Sequence, residues 1–151
     1  MTMKILLLTC IASLTASAQL QRIEMTFEGV NCVPCVDSMP ARAMRIRGVE
    51  SANVDAAKGV LILQLARQNR VRVEQIRDLI QQDGTKAVRA TVEVTGTVSK
   101  NEAGAWILQI PQQALPLELK SGKTYEAGET LNVHGLIEDL KRSPLLLDVR
   151  P

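Results

Sequence analysis

The sequence predicts an α+β chain in two parts, an alternation of strands and helices followed by strands alone. Two observations carry that expectation. Between residues 19 and 91 the apolar period changes from two to three-or-four and back, in the order strand, helix, strand, strand, helix, strand. From residue 92 to 151 helical periodicity is weak, and short alternating runs are divided by turn residues.

The first residues belong to neither part. Lys4 supplies a short positive region, Ile5 to Leu14 a mostly apolar run, and Ala16 and Ala18 the small residues a signal peptidase reads. Residues 1–18 are therefore expected to be a secretory signal peptide. The run is shorter than the roughly 20 apolar residues a membrane span needs. Leu7, Leu8 and Thr9 ahead of Cys10 do not suit lipoprotein cleavage. Cleavage after Ala18 removes Cys10, leaves Cys32 and Cys35, and places the mature chain outside the cytoplasm, in the periplasm, with no span.

Arg22 to Phe27 alternate, with Ile23, Met25 and Phe27 on one face: a strand. Gly29 to Asn31 is a loop. A helix is expected from about Pro34 to Arg47, with Val36, Met39, Ala43 and Ile46 on one side and Gly48 at its end. Val49 to Val54 and Val60 to Leu65 are strands about the turn Asp55 to Gly59. A second helix spans about Val73 to Gln82, facing Val73, Ile76, Leu79 and Ile80 inward, with Gly84 as a left-handed cap. Ala87 to Val92 is the fourth strand. This βαββαβ order is ferredoxin-like: two helices on one face of an antiparallel sheet.

Further strands are expected at Glu93 to Val98, Ala105 to Ile110, Leu115 to Leu119, Thr130 to Leu136 and Leu145 to Val149. Five short strands with small turns suggest a small OB-like barrel over 92–151, and the fourth strand can run straight into it. Aromatics are 2% of the 151 residues (Phe27, Trp106, Tyr125), so the cores must be aliphatic. The net charge of +2 argues against a dedicated nucleic-acid binder. It divides as about +3 over 19–91 and about −2 over 92–151.

The stretch that carries chemistry is Gly29-Val-Asn-Cys32-Val-Pro-Cys35, joining a strand to a helix. A disulfide across so short a loop adds little stability, which makes a structural staple the weakest explanation. Cys32 falls just before the helix and Cys35 in its first turn, where free N–H groups favour thiolate. Pro34 suits that turn because it has no N–H to lose. Two thiolates make a soft, two-coordinate site that Cu(I) or Hg(II) accepts. Zn(II) fits it less well, since it wants four ligands and no second cysteine pair or histidine pair is present.

In this frame the sequence resembles the heavy-metal-associated domain family, which includes copper metallochaperones, metal-binding domains of copper-transporting ATPases and periplasmic mercury-binding proteins. The resemblance runs from about Arg22 to Thr91. It rests on the Gly29 to Cys35 loop, on the distance from Cys35 to Gly48-Val49, on Val54, Gly59 and Val60, and on Gly84 after the second helix. It implies a metal held by Cys32 and Cys35 and passed by ligand exchange to or from a partner such as a membrane metal transporter. A metal-bridged homodimer is a further expectation.

The chain departs from the family in three places. Val30 stands where Met is common, Pro40 lies inside the first helix, and Gly84-Thr85-Lys86 lacks the aromatic residue of many bacterial members. Lys86 is a candidate to neutralise the bis-thiolate, as a lysine does in eukaryotic copper chaperones. As a solvated surface lysine it would have no such role.

Other readings compete. A cysteine pair before a helix also suits thiol–disulfide exchange, although the Trp-Cys-Gly-Pro-Cys pattern is missing. A third reading is an assembly module whose β-domain recruits a partner. His134, the single histidine, reads as structural or exposed. Met25 and Met39 read as core, ahead of thioether ligation. Arg42, Arg45 and Arg47 form either a docking patch or a solvated helix end. With no catalytic triad, phosphate loop or paired carboxylates, an enzyme is not expected.

Overall fold

The computed structural model describes residues 18–111, 113, 115–120 and 122–151. The expected signal peptide, with Cys10, lies outside these residues except for Ala18, as does Ser121 of an expected turn.

Strand β1 (Gln19–Glu28) runs between β3 (Val60–Leu65) and β4 (Lys86–Lys100), with β2 (Val49–Asp55) on the outer side of β3. All three pairings are antiparallel. Leu20 and Ile23 are an odd number of residues apart, yet both are buried. A register shift between Leu20 and Arg22 explains this, because an inserted Gln21 returns the alternation to the same face. Ile23, Met25, Leu61 and Leu63 are wholly buried. Each such side chain is worth about 1.5–3 kcal/mol relative to leaving it in water. Gly59 closes the β2–β3 turn at φ +64°, and a Cβ there would stand 2.6 Å from the Phe27 carbonyl oxygen. Only glycine meets both demands.

The first helix is shorter than expected and is broken. Helix α1 covers Val33–Asp37 and α2 Met39–Ala43, joined through Ser38. Proline has no N–H for a continuous ladder, so Pro40 sits in the first turn of α2, where none is required. After Ala43 the chain turns through Arg47, short of the helix end that the apolar spacing predicts there. Helix α3 (Val73–Gln81) buries Val73, Ile76, Leu79 and Ile80 as its spacing predicts.

The fourth and fifth expected strands are one. β4 crosses residues 91 and 92 without a break; along it the chain leaves β1 and takes up β5 (Trp106–Gln109). β6 (Leu117–Leu119), β7 (Thr130–Ile137) and β8 (Leu146–Arg150) follow. The neighbour order β4-β5-β6-β8-β7 closes through a β7–β4 pairing, making a small five-stranded barrel. The β6–β8 pair is parallel and the others antiparallel. Val98, Leu108, Ile137 and Leu147 are fully buried, and they join Ile23, Leu63 and Ile76 in one apolar cluster. Arg77 on α3 donates to the Leu140 carbonyl at 2.6 Å, a further tie between the two parts.

Candidate metal and thiol site

The site begins where β1 stops. Gly29 takes φ +68°, and nothing lies within 4 Å of where its Cβ would be, so the position demands backbone freedom and not space. Cys32 is extended (φ −143°, ψ 100°) and caps α1. Its carbonyl accepts from the N–H groups of Cys35 at 3.1 Å and Val36 at 3.3 Å. Its Sγ accepts from the Cys35 N–H at 3.2 Å. The backbone of Cys35 thus supports the sulfur of Cys32.

The Cα atoms of Cys32 and Cys35 are 5.2 Å apart, and their sulfurs are joined as a disulfide. Both cysteines are half-buried. Val30 and Val33 beside them are 42% and 69% exposed, so the sulfurs sit within an apolar, open rim. Among the described residues no group of three or more His, Cys, Asp or Glu gathers, and the donors at this loop are the two sulfurs.

Behind the loop stands Arg42, which its sequence context places in a docking patch or a solvated helix end and which the structure uses otherwise. Arg42 Nη2 donates to the Cys35 carbonyl at 3.3 Å and to Asp83 Oδ2 at 2.9 Å, while Nη1 donates to the Leu79 carbonyl at 3.2 Å. One guanidinium therefore clamps the cysteine-bearing helix to the end of α3. Burial pushes the Asp83 carboxyl up, but the Thr85 N–H, which donates to Oδ1 at 3.2 Å, and the Arg42 guanidinium on Oδ2 together outweigh it and hold the group below its ordinary value. Arg42 is consequently not a free docking residue; Arg45 and Arg47 remain exposed. The available signal was spacing: Arg42 follows Cys35 by about two helical turns, and Asp83 precedes the Gly84 cap.

Lys86 lies at the same end of the sheet, opposite Glu28 in register. Its Nζ donates to Glu28 Oε1 at 3.0 Å, with both side chains more than half exposed. Met25 and Met39 are core residues, while Met44 is exposed. His134 is an exposed strand residue 4.0 Å from Glu93. Among the described residues no helix is long and apolar enough to cross a membrane.

No protein-family model matches the chain, and no curated protein matches it. Among solved structures, the CopZ metallochaperone is similar over 44% of this chain and 98% of its own, at 28% identity and a TM-score of 0.40. A copper binding domain from HMA7, a P-type ATPase, covers 48% of this chain and 92% of its own, at 24% identity and a TM-score of 0.39. The N-terminal domain of a potential copper-translocating P-type ATPase from Bacillus subtilis, in its Cu(I)-loaded state, covers 46% and 85%, at 22% identity and a TM-score of 0.39. Each match takes in less than half of this chain.

Proposed function

We propose that this chain binds and hands over a soft metal ion, Cu(I) or Hg(II), through the Cys32 and Cys35 thiolates. The observation that carries the reading is the pairing of two sulfurs on an open loop, one supported by the other residue's N–H. The donor set suits the cargo: two soft, anionic ligands match a cation that accepts two-coordination. Loading needs the disulfide opened first. Two electrons and two protons from a thiol reductant give two thiols, and metal binding then releases the two protons. The sulfurs must also separate, to roughly twice a metal–sulfur bond of about 2.3 Å. Rotation of two half-exposed side chains supplies that movement. Openness suits transfer, since an incoming thiol can reach the ion directly.

The reading extends to a working place outside the cytoplasm after removal of residues 1–18, and to a membrane metal transporter as donor or acceptor. Residues 19–91 carry the metal. The barrel of 92–151 is OB-like and serves stability or docking. The disulfide favours one second reading, a thiol–disulfide redox protein using the same pair.

The deciding experiment titrates the reduced mature protein anaerobically with Cu(I) and Hg(II) against a competing chelator, beside Cys32→Ser/Cys35→Ser. One metal per chain, lost in the double variant, is expected. Absence of competitive binding, with a readily cycled disulfide, would transfer the function to redox chemistry.

A further inference from the structure

At the other end of the ferredoxin-like part, the turn after α2 and the loop between β3 and α3 enclose a groove of about 750 Å³. Arg47, Arg67 and Arg70 line it, and no Asp or Glu does. Among the described residues none of the three takes part in an ion pair. Glu50 and Glu74, near in the chain, are outside the lining.

The floor of the groove is set before any ligand arrives. Buried Asn69 donates to the carbonyls of Leu20 at 2.8 Å and Ala66 at 2.7 Å, and accepts from the Val71 N–H at 3.0 Å. The Ala66 N–H bonds the Gly48 carbonyl at 2.8 Å, and a Cβ on Gly48 would stand 2.7 Å from that of Asn69. The Gln68 N–H bonds Gln19 Oε1 at 2.8 Å, fastening the loop to the start of β1. The cysteine loop follows the other end of β1, so the ten residues of that strand put about 30 Å between groove and sulfurs.

Three arginines line one groove whose lining holds no carboxylate, so an anion bound there meets positive charge without competition from a neighbouring acid. Their planar forks match phosphate oxygens two at a time. The volume falls within the range of small-molecule sites. A membrane surface fits less well, because insertion needs apolar side chains and none of the exposed large hydrophobics (Val30, Val33, Met44, Leu115) lines the groove. We propose that this groove binds a small soluble anion carrying two or more phosphate groups, at a site separate from the cysteines.

The test is calorimetric titration of the oxidised mature protein with tripolyphosphate at near-physiological salt. Saturable one-to-one binding is expected. Arg47→Ser/Arg67→Ser/Arg70→Ser should weaken it by about tenfold or more. Lys58→Ser/Arg89→Ser/Lys123→Ser, with the same charge change elsewhere, should stay within about twofold. Should the triple serine variant not fold, Arg67→Lys/Arg70→Lys keeps the charge but removes the forks, and a loss of about threefold or more is expected. Equal loss in groove and control variants, equally tight binding of single inorganic phosphate, or no saturable binding would each overturn the proposal. Binding to phosphatidylglycerol vesicles with none to tripolyphosphate would overturn it in favour of a membrane contact.

Discussion

Arg42 and Asp83 face each other across the two helical segments, 2.9 Å from guanidinium to carboxylate, and the same guanidinium nitrogen holds the carbonyl of Cys35. The pair is largely shielded from water, at 23% and 12% side-chain exposure. It therefore couples the stability of the helix packing to the position of the cysteine-bearing turn.

Replacing Arg42 with Ala should lower stability by about 1–3 kcal/mol, because it strips several acceptors of a charged donor. Arg42→Lys should recover only part of that loss, since an ammonium cannot fork to Asp83, Leu79 and Cys35 together. Urea unfolding of the three proteins measures both differences. Equal stability of Arg42→Ala and the parent would mean that the clamp contributes nothing.

Asp83 sets the pH dependence of the clamp. Its folded pKa is depressed, so its contribution is fully present above the ordinary carboxylate value of about 4 and disappears as pH falls through the lower folded value. Asp83→Asn should therefore be less stable than the parent by a constant margin from pH 7 to about pH 5, with the gap closing below about pH 4. Unfolding midpoints across that range show the outcome. A gap that widens in acid would contradict the direction of the shift.

Residues of both parts share one apolar cluster, and β4 passes through both. A single cooperative transition follows, with matching calorimetric and van't Hoff enthalpies. Leu147→Ala, in the barrel, should cost about 2–5 kcal/mol. Hydrogen exchange at the amides of Leu63 on β3 and Ile76 on α3, outside the barrel, should lose the same protection. Two transitions, or protection there untouched by Leu147→Ala, would show that the parts unfold separately.

Most of the architecture was legible in the sequence because period and turn chemistry are local. Val60 to Leu65 and the inward face Val73, Ile76, Leu79 and Ile80 fall where the pattern puts them. The cysteine loop was legible for the same reason: Cys32, Pro34 and Cys35 hold their places by their relation to one helix start. The break at Ser38 was half visible, since Pro40 announced a disturbance but not that the helix would divide and stop at Ala43.

What depends on residues far apart in the chain only the tertiary structure decided. The sequence by itself determined which residues alternate, which cap and which pair of sulfurs is adjacent, because those are properties of neighbours. It did not determine that Arg42 reaches Asp83, that Lys86 is held by Glu28, or that Arg47, Arg67 and Arg70 line one groove. Nor did it determine that β7 closes the barrel on β4. Those contacts follow from how strands register and helices pack, and the energy that chooses among such arrangements belongs to the whole core rather than to any window of the chain.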